Sequence, residues 1–187
     1  MVKNKKITAK KASKNRNNKA SSTFPKMLKD AKTLAEIFEL VKDGVYDTIG
    51  HKRPGLMLGL TEIQTDQKKL IGGFHPLGSN FIIINKAPLR KIMEKNKKLY
   101  QPYVFHMLLR EYMHSFGIMD ETVLKQSVKN ISEKLFGKQH MVTALSTRFN
   151  KYFPNVIYSS PEDYVKQENS GIEMVDNFDS SSTYYLR

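Results

Sequence analysis

Cysteine is absent from the 187 residues, and so is tryptophan. Without cysteine there is no disulfide scaffold, no Cys-ligated zinc finger or iron–sulfur centre, and no thiol nucleophile. Long apolar runs are missing too. The longest, such as Gly55–Leu60 and Tyr103–Leu109, fall well short of the ~18 residues of a membrane span, so no membrane partner is expected. The first 25 residues lack the apolar stretch of a secretory signal, which places the expected location inside the cell, in the cytoplasm. There is no Gly-rich phosphate loop, nucleophile elbow or dinucleotide fingerprint, and Gly72-Gly73 and Gly78 read as turn glycines.

Acidic residues are also scarce, 18 Asp+Glu against 31 Lys+Arg, for a formal charge of +13. The excess is uneven. Residues 1–24 carry Lys3, Lys5, Lys6, Lys10, Lys11, Lys14, Arg16 and Lys19 and no acid. With almost nothing apolar to bury, this stretch is expected to be a disordered basic arm. Its expected partner is nucleic acid or another polyanion, met through phosphates without reading of bases. Residues 25–159 hold 21 basic against 12 acidic groups and have the size of one domain. Clusters at Lys52-Arg53, Lys68-Lys69, Arg90-Lys91 and Lys95–Lys98 read either as a phosphate-binding surface or as a solvated lysine-rich one. Residues 160–187 hold two basic and six acidic groups, an acidic Ser/Asn/Asp-rich tail expected to fold back on a basic surface.

Between the two ends the apolar pattern predicts an α+β fold. Met27, Leu28, Ala31, Leu34, Ile37, Phe38 and Val41 repeat at helical spacing, giving one N-terminal helix that stops before Gly44. The run Leu56–Ile63 reads as a strand, joined by a polar turn to a second near Leu70–Phe74, a hairpin. Asn80–Asn85, with its Phe-Ile-Ile-Ile core, completes a three-stranded sheet. Helices follow from Pro88 to about Leu99, over Gln101–Phe116, over Glu121–Phe136 and from His140 to Tyr152.

The helix ending at Gly117 carries the chemistry. It is apolar on nearly every side, as a buried helix is, yet it contains Arg110, Glu111 and His114. Three- and four-residue spacing puts these side chains on one arc. Buried charges need a partner or a ligand, so the trio is either an ion pair with a hydrogen-bonded His that fixes packing, or a reactive site. His106 stands about 12 Å further along the helix at 1.5 Å per residue, too far to share one ion with His114.

The segment R-E-Y-M-H-S-F-G-I-M-D-E resembles the active-site helix of zincin metallopeptidases, in the metzincin-like pattern HExxHxxGxxH/D. In length and helical C-terminal half the chain looks most like the minimal archaeal zincins. The resemblance implies a small zincin-like domain, with Glu111 at the general-base position, His114 as second zinc ligand and Asp120 as third. It also implies a strand, Asn80–Asn85 or a neighbour, that holds extended peptide. The first-ligand position departs from the pattern. Arg110 stands there, and a guanidinium has no lone pair for a metal.

Two readings follow. In the first the chain is a pseudo-metallopeptidase without a cofactor. Arg110 pairs with Glu111 or Asp120 where a metal stood, and the former cleft takes a peptide or protein partner. In the second it is an active zinc-dependent metallopeptidase with a non-standard site. There Glu111 and His114 act with Asp120, Glu121 or His140. Asp120-Glu121 also reads as a helix cap with a first-turn acid, and His140 as a plain helix-start residue.

Overall fold

The computed structural model describes residues 23–63, 69–158 and 171–180. The eight cations of the arm and Lys68 lie outside the described residues. The fold is α+β, and the described residues form six helices around one four-stranded and one two-stranded sheet. No helix among the described residues is long and apolar enough to cross a membrane.

The single N-terminal helix expected from periodicity is two helices, α1 over 23–30 and α2 over Leu34–Ile49. Thr33 separates them. Its hydroxyl accepts the Glu36 amide at 3.1 Å, and the Glu36 carboxylate reaches back to the Lys32 amide at 2.6 Å. T-x-x-E is a helix-start signal that overrides the apolar repeat running through it. Gly44 does not stop α2 either. It lies inside the helix, buried, where a Cβ would come within 2.4 Å of the Leu135 side chain, so it permits close helix packing. The helix ends at Gly50, whose φ of 78° is the left-handed conformation that favours glycine.

The sheet also departs from the expected hairpin. β1 (Met57–Thr61) pairs in parallel with β4 (Phe81–Asn85), in register from Met57↔Phe81 to Thr61↔Asn85. Between them the chain makes β2 (Leu70–Ile71) and β3 (Gly73–Phe74), and β3 turns back antiparallel onto β4. β4 is therefore an interior strand, with β1 and β3 on its two sides, and of the expected Asn80–Asn85 or a neighbour it is the neighbour β3 that lies at the edge among the described residues. β2 pairs in parallel with β5 (Val156–Ile157) in the second sheet. A fourth strand, β6 (Glu173–Met174), joins β1 on its other side, giving the order β3-β4-β1-β6. β6 belongs to the stretch expected to be a tail.

Asn85 knits the end of the sheet together. Fully buried, it accepts from the amides of Ile63 and Ala87 and donates to the carbonyls of Ile63 and Ile71 at 2.8–3.2 Å. The same side chain thereby caps α3 (Lys86–Lys95), which a short 3-10 turn (Lys97–Leu99) connects to α4.

α4 (Tyr100–Ser115) is the centre of the molecule, packed against α2, α5, α6 and the sheet. Thirteen of its residues are buried, which accounts for an apolar surface on every side. α5 (Glu121–Phe136) and α6 (Met141–Tyr152) agree with the apolar spacing, and their caps are Asp120 and His140. Each buried Leu, Phe or Met contributes roughly 1.5–3 kcal/mol to this core.

Candidate functional site

A cleft of about 760 Å³ opens along α4. One wall is the loop after β3 and the end of β5, with His75, Leu77, Ile157 and Tyr158. The floor is one face of α4, with His106, Arg110 and His114. Met119, then Glu121 and Lys125 of α5, and Leu145–Lys151 of α6 close the other side.

Arg110 is the residue around which the floor is built. It is 2% exposed and its guanidinium lies 3.9 Å from the centre of the Tyr158 ring. One terminal nitrogen donates to the Glu121 carboxylate. Its Nε sits 3.9 Å from Glu111 and has no hydrogen-bond acceptor. The planar cation is thus held by one aromatic face and two carboxylates, an arrangement that suits Arg and not Lys. The expected partner Asp120 is replaced by its neighbour Glu121. Asp120 is occupied elsewhere, accepting the amides of Thr122 and Val123 at 2.8 and 2.9 Å as the cap of α5.

Glu111 is 2% exposed and does not line the cleft. Burial pushes its carboxyl up to about 7, offset in part by Arg110 and by the backbone N–H of His75. His114 does line the cleft. Its Nδ1–H donates to the Ile118 carbonyl at 2.9 Å, which leaves Nε2 as the acceptor nitrogen. Burial and Arg110 lower its pKa. His75 is arranged the same way, with Nδ1–H on the Phe81 carbonyl at 2.7 Å and a pKa lowered by burial. His106 bonds the Tyr158 hydroxyl through Nε2 at 2.7 Å, and burial holds its pKa down at about 3. Burial thus disfavours the charged form of all three cleft histidines, and the fixed positive charge of the cleft comes from Arg and Lys.

His140 is not among the residues lining the cleft. Its Nδ1 accepts the Val142 amide at 3.2 Å, and its ring stacks on Phe136 at 4.7 Å, so it caps α6. Arg110 and His114 come together in the cleft, whereas Asp120 and His140 serve helix caps. The residues that the zincin pattern would assign to zinc do not fit the ion, because Arg110 offers a buried guanidinium and the Asp120 carboxylate is committed to a cap. Among the described residues no group of three His, Asp or Glu is arranged to hold a metal.

No protein-family model, curated protein or solved structure matches the chain. The site therefore stands on its own geometry.

Tyr158, Lys125, Arg148, Lys151 and His75 belong to the cleft but have no signature in the sequence. Tyr158 sits 48 residues past Arg110, directly after a two-residue strand that only its pairing with β2 reveals. Of the basic clusters, Lys52 pairs with Asp43 at 2.8 Å and Arg90 with Glu62 at 2.5 Å. Arg53 donates to the carbonyls of Ser79 and Ser115, so it ties the β3–β4 loop to the end of α4.

Proposed function

We propose that this chain is a zincin-like domain whose peptidase chemistry is lost and whose cleft now serves binding, with the basic arm of residues 1–24 contacting nucleic acid phosphates. The observation that carries the reading is Arg110. In the pattern R-E-Y-M-H it occupies the first-ligand position, and its guanidinium fills the cleft floor between Glu121, Glu111 and the Tyr158 ring. A fixed organic cation there neutralises the carboxylates that a metal would otherwise balance, and it repels a divalent ion beside it. The neighbouring sheet edge supports the same reading. β5 lies along the strand that precedes β3, with the Gly72 amide on the Ile157 carbonyl at 3.0 Å, so the chain itself fills backbone positions an extended peptide would use.

The test is metal analysis of the purified protein beside Arg110→His. The wild type is expected to carry no stoichiometric zinc and to leave unfolded peptides uncut. Arg110→His, which places an imidazole beside His114 and Glu121, is expected to take up zinc. One equivalent of zinc in the wild type, lost on Glu111→Gln/His114→Ala, would overturn the proposal. A folded Arg110→His protein that takes up none would overturn the zincin lineage.

A further inference from the structure

The charge in the cleft is unbalanced in a way the Arg110 cluster does not use. Glu121 is the only carboxylate among the described lining residues, and Arg110 already engages it. Lys125 on α5 and Arg148 and Lys151 on α6 face the same space, exposed, with no ion pair to any described residue. Three cations that no described carboxylate neutralises, on two helices above a fourth in the floor, make a concentrated positive field in a partly enclosed volume.

Two further observations point inward. Arg110 Nε and His106 Nδ1 are buried at the floor without a hydrogen-bond partner, although buried polar atoms are nearly always satisfied. α6 also leaves helical geometry at one residue, Arg148, with φ −136° and ψ 38°. That irregularity lies at the cleft, at one of the two α6 cations, and helix irregularities often mark functional sites.

The chemistry of a matching ligand follows. A carboxylate brings one negative charge, too little for three free cations, whereas a phosphate monoester brings close to two at neutral pH. Arg is suited to phosphate because its fork donates to two oxygens at once. Leu77, Met119, Leu145 and Phe149 add apolar lining beside the polar Ser146, Thr147 and Asn150, so a bare ion would leave most of the volume unfilled. A volume of this size is ordinary for a site that encloses a small organic molecule.

We propose that the cleft binds a nucleotide-sized, phosphate-bearing small molecule, its phosphate held by Lys125, Arg148 and Lys151 and its body lying on the apolar wall above Arg110. The proposal rests on the reading that this cleft binds and does not cut.

Calorimetric titration of the full chain with AMP, and separately with inorganic pyrophosphate, tests it at moderate salt. The basic arm is present in every protein compared, so nonspecific phosphate binding cancels. One-to-one binding of AMP is expected, weakened roughly tenfold by Arg148→Ala/Lys151→Ala and by Lys125→Ala. The control Lys91→Ala/Lys95→Ala removes two exposed cations from α3, away from the cleft, and is expected to change nothing. Glu121→Gln is expected to tighten binding, because it removes the one opposing charge and frees Arg110. No AMP binding by the wild type, or equal weakening by the α3 and α6 variants, would overturn the proposal. So would pyrophosphate binding without AMP binding, or binding of an oligonucleotide but not of AMP. Zinc measured in the same samples bears only on the loss of peptidase chemistry, so the two readings fail separately.

Discussion

Lys42 lies in the middle of α2 with its ammonium buried between two carboxylates, that of Glu39 one turn back at 2.8 Å and that of Asp179, 137 residues further along the chain. Asp179 also accepts the Leu56 amide at 2.9 Å just before β1, while Phe178 stacks on Phe38 at 4.0 Å. Residues 171–180 thus fasten to α2 and to the sheet at once.

Asp179→Ala is expected to destabilise the fold by about 1–3 kcal/mol, because it leaves the buried ammonium with the Glu39 carboxylate and takes the acceptor from the Leu56 amide. Asp179→Asn keeps the bond to Leu56 and tolerates the left-handed φ of 57°, so it should separate the charge from the rest of the interaction. Lys42→Met combined with Asp179→Asn should recover much of the stability. Urea unfolding of the four proteins measures each step.

Asn85 is the second point of vulnerability. Replacing it with Leu takes the partner from the buried Ile63 amide, from the half-buried Ala87 amide and from two buried carbonyls, and each buried unsatisfied group costs ~1–3 kcal/mol. The substitution is nearly isosteric, so a destabilisation below about 1 kcal/mol in thermal or urea unfolding would show that water takes over these bonds.

His106 predicts an acid-side weakening. Burial first, then Arg110, lowers its pKa from 6.5 to about 3, with Tyr158 the other titratable group touching it. A histidine whose folded pKa is depressed supports the fold fully above its unfolded pKa. That support drains away as pH falls from 6.5 towards the folded value, since only the unfolded chain takes the proton. His106→Gln keeps a polar partner for Tyr158 without titrating. Its stability should fall less between about pH 7 and pH 5 than that of the wild type, by the proton-uptake linkage. Equal falls in the two proteins would assign the acid sensitivity to other groups.

Neutralising the eight arm cations to Gln is expected to weaken binding of RNA or DNA and to flatten its dependence on salt. On duplex DNA, every phosphate that the arm no longer neutralises makes the slope of log affinity against log salt shallower by about 0.9. An unchanged slope in filter-binding or anisotropy titrations would rule the arm out as the phosphate-binding element.

Local signals carried most of the helical part of the fold. α4, α5 and α6 agree with the apolar spacing to within a residue or two, because each has a one-sided or all-round apolar pattern and a readable end. α1 and α2 read as one helix ending before Gly44, because the apolar repeat runs straight across the break that Thr33 and Glu36 mark. Gly44 shows the limit of residue type. A glycine reads as a stop, and only the nearness of Leu135 shows it to be a packing glycine.

The sheet was less legible, for a physical reason. Which strands are neighbours depends on partners far apart in sequence, and an apolar run such as Phe81–Asn85 says nothing of whether it lies inside a sheet or at its edge.

The same division holds for the function. By itself the sequence, through the absence of cysteine, left histidine and carboxylate as the site chemistry, placed Arg110, Glu111 and His114 on one buried helix, and put the unopposed positive charge in the arm. Only the tertiary structure decided that Arg110 pairs with Glu121, that Tyr158 covers it, and that Lys125, Arg148 and Lys151 face one cleft with no carboxylate of their own among the described residues. Charge and helical phase are properties of a segment. Desolvation and ion pairing depend on what the rest of the chain brings within a few ångströms.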